Sequence, residues 1–474
     1  MGLFSGLFSR KPKAKPVEAR YELARDSNEM RRHWQSADLL SGNEWANAAD
    51  RQKMRARSRH EVFNNGYAKG MVEKLARYVV GRGPRLQMKS GERETNAQIE
   101  RLFADWAKEI KLARKLRMMR KARCIDGEIF AVFVPNPTIK GPIKIDLRLY
   151  EADQCASPFS FATKANEVDG IKFDAFDNPV SYSILKQHPG DLGSMGIADA
   201  ENIDADKVIH YFNEERAGQK RGVPEIAASI RIFAELRRYE LAVLGAAESA
   251  ASFAMVGQAP MPADAEGGGI SDTIELERNM LTFLPEGYSL AQTKPEQPTT
   301  TFKEFKNEVL GEAAAPIHMP RNIMLCDSSG YNYSSGRLDH QTFAKSIDID
   351  REEIAEVILD RIFSLWFELA VLNTGVLPQE ARRADFDTNH DWFWDGFEHV
   401  DPQKEDAARQ TRLQSHMTTY AAEFAKEGKD WQEEFDQMRI EQEYAEEIGL
   451  SLAAPNPNPP APVSNEEQDA TEEE

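Results

Sequence analysis

Residues 337–373, RLDHQTFAKSIDIDREEIAEVILDRIFSLWFELAVLN, form the longest periodic segment of the 474-residue chain. Phe343, Ile347, Ile354, Ile358, Ile362, Trp366 and Leu369 recur at helical steps, with Val357, Phe363 and Leu365 filling the same side. That spacing predicts a single helix, ended by Gly375 and Pro378. At about 1.5 Å rise per residue it spans on the order of 50 Å. An average helix has about three turns, so this one needs either a large protein around it or neighbouring subunits.

Immediately before it, Pro320–Ser335 reads as a polar loop in which Tyr331 and Tyr333 alternate with small residues and Ser334 or Ser335 can cap the helix. Further back, Thr301-x-x-Glu304 is a capping box opening a helix to about Ala315. Residues 257–300 are rich in Gly and Pro, with a strand expected at Asn279–Leu284. From Pro224, placed in a first turn where its missing N–H costs nothing, an Ala-rich helix runs to about Met255. Upstream the pattern changes to short β-rich runs: Gly127–Val134, Ile145–Tyr150, Gly170–Ala175, Val180–Leu185 and Val208–Phe212. Asp177-Asn178-Pro179 predicts a hairpin turn.

Helices precede those strands. Residues 50–80 carry Met54, Val62, Met71, Leu75 and Val79 at helical spacing and stop at Gly81-Arg82-Gly83-Pro84. Thr95-x-x-Gln98 predicts a capped helix through Trp106, and a basic segment 108–123 follows with Leu112, Leu116 and Met119 on one face. Past the long helix lie the aromatic Trp392–Asp395 segment, an Asp401-Pro402 helix start, and helices at about 402–427 and 430–448. The ends are a basic arm, 1–25, expected to be mobile, and a Pro/Asn-rich, acidic, disordered tail, 453–474. The fold class is therefore α+β and predominantly helical, with helices first and an antiparallel sheet after.

Charge is unevenly spread. The net charge is −19, yet residues 1–123 carry a net +15 and the remainder a net −34. A protein gripping nucleic acid over most of its surface would be basic throughout. Cys124, Cys155 and Cys326 are far apart, with no metal spacing, and read as buried unpaired thiols in a reducing compartment. No apolar run approaches the roughly 20 residues needed to cross a bilayer. Gly6 occupies the position where a myristoylation signal wants Ser or Thr. A soluble, cytoplasmic protein with no membrane association is expected.

Catalytic motifs are missing from the sequence: there is no P-loop, no GxSxG and no HExxH. The nearest approach to a divalent-metal set is His390, Asp391, Asp395, His399 and Asp401, the ligand types of a metal-dependent nuclease. Its dense Trp and Phe content reads better as a capped aromatic turn. Cys124-Ile-Asp-Gly-Glu128 reads as a helix-to-strand turn rather than an acid pair. No enzyme, no cofactor and no metal is expected.

An ordered set of segments carries a resemblance. They are Arg55–Arg59, Asn64–Gly70, Val79–Gly83, Asp126–Phe130, Glu151–Gln154, His188–Asp191, His210–Phe212, Glu214–Pro224 and Tyr331–Arg337. Together they resemble the lambda-type portal family of tailed bacteriophages over residues from about 50 to 375. Ala314–Pro320 departs from that pattern, because family members usually carry a more apolar, Gly-containing segment there.

The resemblance implies a ring, typically of twelve copies, at one capsid vertex of the virion, assembled in the host cytoplasm. Double-stranded DNA would pass through it, and its partners would be other copies of itself, the terminase large subunit, the major capsid protein and head-completion or neck proteins. By analogy 26–222 is wing, 223–256 the first stem helix and 257–300 clip. Residues 301–320 form the second stem helix, 321–336 a tunnel loop, 337–378 a long wing helix and 379–452 the crown. Tyr331, Asn332, Tyr333, Ser334 and Ser335 would face the DNA channel, offering hydrogen bonds without net charge. Arg321, Arg337, Lys115, Arg120 and Lys121 are further candidate DNA contacts. A conduit must let a polyanion slide, and tight phosphate contacts would act as brakes. The other readings are a head adaptor or minor capsid protein without a channel, and a nuclease centred on His390, Asp395 and His399.

Overall fold

The strand Glu128–Pro135 (β2) lies at the middle of the molecule because it is buried on both faces. It pairs antiparallel with Ile145–Glu151 (β3) on one side and Val208–Phe212 (β8) on the other. Ile129 and Ala131 join a large core shared with the helices, while Phe130 and Val132 face a second, smaller core. A strand buried on both sides reads as a continuous apolar run, as Ile-Phe-Ala-Val-Phe-Val does here. The small core is closed by Ile171, Phe173, Tyr182 and Ile184 of a four-stranded sheet. That sheet runs Glu167–Val168 (β4), Ile171–Phe173 (β5), Pro179–Leu185 (β6) and Ala200–Asp204 (β7), all antiparallel. Asp177 turns the β5–β6 hairpin with φ of 66°.

These features come from a computed structural model that describes residues 32, 34–157, 166–191, 199–251, 255–258, 289–292, 301–396 and 402–450. The basic arm 1–25, most of 257–300 with the Asn279–Leu284 strand, His399, Asp401 and the tail 453–474 lie outside the described residues.

Before the sheets, residues 50–80 form two helices rather than one: Ala48–Asn64 (α1) and Gly66–Val80 (α2). Asn65 ends the first and caps the second, its side chain accepting from the Tyr67 and Ala68 N–H groups. Arg85–Met88 (β1) follows, then Arg93–Glu109 (α3) and Leu112–Asp126 (α4). Thr95 is not the expected cap: the helix begins two residues earlier and Thr95 is buried in its first turn. Ala227–Ala251 (α5) starts one turn after Pro224 and ends before the expected Met255. Met255–Gln258 (β9) is instead a strand paired with Ser289–Gln292 (β10). Phe302–Ala314 (α6) packs back along α5.

The long helix (α8) runs 333–372, about 60 Å at about 1.5 Å per residue, in three parts. Tyr333–Ile354 is α-helical, Ala355–Leu359 is π-helical and Asp360–Leu372 is α-helical again. Its first part packs on α2, where the Tyr78 and Phe343 rings meet edge to face at 5.4 Å. Its last part enters an aromatic cluster: Phe103 of α3 lies 5.2 Å from Trp366 and 5.6 Å from Trp392. Trp392 belongs to His390–Phe393 (β11), which pairs antiparallel with β1. The segment read as a capped aromatic turn is thus an edge strand. Sequence reading missed it because its partner is over 300 residues away.

Pro402–Gln414 (α9), Tyr420–Lys426 (α10) and Trp431–Glu447 (α11) close the described fold, with the expected 402–427 helix broken at His416, φ 57°. The start of α11 sits against the β1–α3 region. The Gln87 amide donates to Asp430, and Arg93 pairs with Asp436. Between them Glu100 accepts the Met88 N–H at 2.6 Å. Burial pushes its carboxyl up to about 7, helped by the nearby Asp430 and Glu433 charges and opposed by the Met88 hydrogen bond. A carboxyl raised in the folded state contributes stability that is complete below its unfolded value, about 4.3, and is lost as pH rises through about 7. Glu100→Gln therefore raises the thermal midpoint relative to wild type at pH 8, with a smaller gain at pH 5; parallel melts at the two pH values measure it.

Candidate functional site: the 321–336 turn and a buried charge junction

The expected loop is shorter than its sequence signal. Arg321–Leu325 is a one-turn helix (α7), and Tyr333, Ser334 and Ser335 belong to the first turn of the long helix, leaving 326–332 as turn. The cap is Asn332, not Ser334 or Ser335. Asn332 sits in extended backbone, and its Oδ1 accepts the Ser335 N–H at 2.8 Å. Cys326, expected to be buried, is exposed and turns the chain with φ of 52°. Asp327 accepts from the Ser329 backbone N–H at 2.9 Å and from its hydroxyl, which holds the Asp327 carboxyl below its usual range. Tyr331 lies under the Arg321 guanidinium, 5.8 Å from its ring centre. Nothing is described for the Tyr333 side chain. The turn is anchored from α2, where the Lys74 ammonium donates to the Ile323 carbonyl at 2.9 Å and to that of Met324.

Four of the five candidate cations are paired with carboxylates. Arg321 pairs with Glu308 at 2.8 Å, Lys121 with Glu73 at 3.0 Å and Lys115 with Asp146. Arg337 is exposed. Arg120 is a correction: it is only 4% exposed and pairs with Glu225 at 2.7 Å and Asp350 at 2.8 Å. A guanidinium so enclosed works inside the fold and offers no donor to a passing polyanion.

The described nuclease candidates are held by other partners likewise. His390 Nε2 and the Trp392 indole both reach Asp360 Oδ1, at 3.3 and 2.7 Å, while Asp395 is held by the Arg82 backbone and side chain at 2.6 and 3.1 Å. Among the described residues, Glu151, Asp153 and His188 are close enough together to hold a metal ion. Guanidinium groups already occupy those carboxylates. Arg59 reaches Glu151 at 3.1 Å and Asp153 at 2.7 Å, and Arg55 reaches Asp153 at 2.9 Å. A cation would have to displace two arginines.

That arginine-rich cluster is where most of the quoted segments meet. Arg51, Arg55 and Arg59 recur every four residues along α1 and line its inner stripe. At the entrance to β2, Glu128 is fully enclosed. Arg221 donates to it through Nη2 at 2.7 Å, His210 Nε2 lies 2.9 Å away, and the Gly222 N–H donates at 3.0 Å. Arg221 also donates to the carbonyls of Ala152, Cys155 and Asp169. Removal from water raises the Glu128 carboxyl, but Arg221 and the His210 hydrogen bond outweigh it and hold the group ionised well below the usual range. His210 is shifted the other way: burial lowers it despite Glu128, so it stays neutral. Gly127 and Gly222 pass so close that a Cβ on either would strike the other's backbone.

A second knot joins three more elements. Arg120 and Arg123 of α4 both pair with Glu225 ahead of α5, and reach Asp350 and Glu353 of the long helix. Arg123 also donates to the Tyr211 hydroxyl of β8 at 2.8 Å. Sequence reading took Arg120 as a surface cation. For Arg51, Arg55 and Arg59, four-residue spacing on α1 in line with the buried Ser58 and Val62 was the signal that they turn inward.

Leaving one half of such a pair buried costs about 3–5 kcal/mol. Arg221→Met should lower unfolding free energy by that order in chemical denaturation, and adding Glu128→Gln should recover part of the loss. Glu128 also sets an acid limit. A depressed carboxyl contributes stability that is full above its unfolded value, about 4.3, and is lost as pH falls from there through the depressed folded value.

The sequence matches the family described as "Phage portal protein, lambda family" over residues 27–351. It is 24% identical over 438 residues to the "Probable portal protein" of Halomonas phage phiHAP-1, covering 86% of this chain and 82% of the relative. It is 21% identical over 436 residues to "Portal protein B" of Escherichia phage lambda, covering 81% of this chain and 82% of the relative. Among solved structures, a chain from the virion of a native gene transfer agent particle aligns with a TM-score of 0.42 at 12% identity, over 79% of this chain and 92% of that one. With the family's profile matching well over half of its length, the chain belongs to the lambda family of phage portal proteins.

Proposed function

We propose that copies of this chain close into a ring at one capsid vertex and conduct double-stranded DNA during packaging and ejection. The observation that carries this reading is the family match over residues 27–351. The geometry supports it. Helices α5 and α6 leave Leu241, Leu244 and Phe305 exposed, at 63%, 55% and 51%, on a helical pair that a single copy does not cover. Exposed apolar side chains of this size favour a protein neighbour over water, and identical neighbours around an axis supply one at every position.

Within that ring, 26–222 serves as wing, 223–256 and 301–320 as stem, 257–300 as clip and 379–452 as crown. The clip is the part that meets the terminase large subunit and later the head-completion and neck proteins, while the outer surface meets the major capsid protein. The turn 326–332, with Asn332 and Tyr331, is the segment offered to DNA, and the first helical turn with Ser334 and Ser335 stands behind it. Such polar, weakly charged groups favour sliding over gripping.

Negative-stain imaging of the purified chain is expected to show annular particles whose hole admits a B-form duplex; a stable monomer at high concentration overturns the reading. Replacing 326–332 by a Gly/Ser segment of equal length should leave the annuli intact and abolish packaging or retention of DNA. Loss of the annuli instead would assign the turn a purely structural role.

A further inference from the structure

Several arginines of the basic N-terminal quarter are spent inside the fold. Arg51, Arg55, Arg120 and Arg123 are buried, and Arg59 is engaged with Asp126, Glu151 and Asp153. A second group is not. Arg77 on α2 and Arg114, Arg117 and Lys121 on α4 line a shallow groove of about 440 Å³ between the two helices, together with Glu73, Ala76, Gly81 and Met118. Glu73 is the one carboxylate there, shared by Lys121 at 3.0 Å and Arg77 at 3.9 Å. Arg117 donates to the Gly81 carbonyl at 2.6 Å, which fixes its head at the groove edge. Arg114 is exposed and, among the described residues, has no ion-pair partner. Four cations against one anion leave a net positive groove on a chain whose total charge is −19.

We propose that this groove binds the phosphodiester backbone of duplex DNA, as a site separate from the 326–332 turn. Spacing favours that ligand. Residues 114, 117 and 121 lie on one face of α4 at steps of three and four, so their stems cover about 10 Å along the helix. One DNA strand presents a charge about every 3.4 Å of axis, so that length faces roughly three consecutive phosphates. Arg77 adds a cation from the opposite wall. Guanidinium groups suit phosphate because their planar donors bind two oxygens together. The groove contains neither aromatic rings nor a deep slot for a base, so the contact is to the backbone and independent of sequence.

Fluorescence anisotropy of a short labelled duplex, titrated with the full-length chain over a range of salt, tests the proposal. Arg77→Gln/Arg114→Gln removes the two exposed members and leaves Arg117 and Lys121 in place. The slope of log affinity against log salt should fall by about 2, so raising salt from about 50 to about 200 mM costs the variant about tenfold less affinity than wild type. Arg231→Gln/Arg439→Gln, which removes the same charge from exposed helix pairs elsewhere, should leave the slope unchanged. An unaltered slope in the groove variant, or an equal drop in the control, overturns the site. So does DNA binding that appears only after removal of residues 456–474, because the groove then serves the chain's own acidic tail. Thermal midpoints check folding, and annulus imaging of the groove variant scores ring formation independently.

Discussion

A carboxylate with no contact to water governs this fold. Glu128 loses its hydration, and an ionised group in that position persists only when each oxygen meets a donor and a cation lies beside it. Arg221, His210 and the Gly222 amide meet that demand. They belong to segments over 80 residues downstream of the strand they serve. Arg221 then recruits three backbone carbonyls from the β3 end and the β4–β5 region. One charge thus dictates how the first helix, both sheets and the entry to α5 come together. Such pairs add little net stability over apolar residues of the same volume, but half of one is costly to bury, so misassembled arrangements are disfavoured.

Part of this was legible in the chain and part was not. Patterns of two and 3.6 located the β2, β3, β5, β6 and β8 strands and the long helix, because each buries a continuous face that local periodicity records. What escaped depends on partners far away. The β1–β11 pair joins residues 85–88 to 390–393, and neither four-residue strand carries enough alternation to announce itself. Caps were misassigned for a related reason. Thr95 and Ser334 have the right chemistry, yet the helices start where the backbone first turns, at Arg93 and Tyr333. The 321–336 segment was recognised as a polar connection, but Arg120 was placed on the wrong side of its helix, because charge alone cannot distinguish a solvated face from an ion-paired interior.

The division of the arginines explains the uneven charge along the chain. The +15 of the first 123 residues does not describe a uniformly basic lobe. Much of it is cancelled by carboxylates contributed from later segments, among them Glu128, Glu151, Asp153, Glu225, Asp350 and Glu353. The acidic remainder of the chain is therefore partly the counter-charge of its beginning, held at contact distance.

The π-helical stretch at Ala355–Leu359 has a geometric effect on the long helix. A π-turn accommodates one residue more than an α-turn, so side chains beyond it are rotated by about 100° from where an unbroken α-helix of 3.6 residues per turn would carry them. On an unbroken helix Trp366 would point about 140° away from Phe343, and the extra residue brings it back to about 40°, so one apolar side serves α2 through Phe343 and then α3 through Trp366. Successive partners along the rod are served by a single uninterrupted axis, which keeps stiffness where a hinge or loop would have surrendered it.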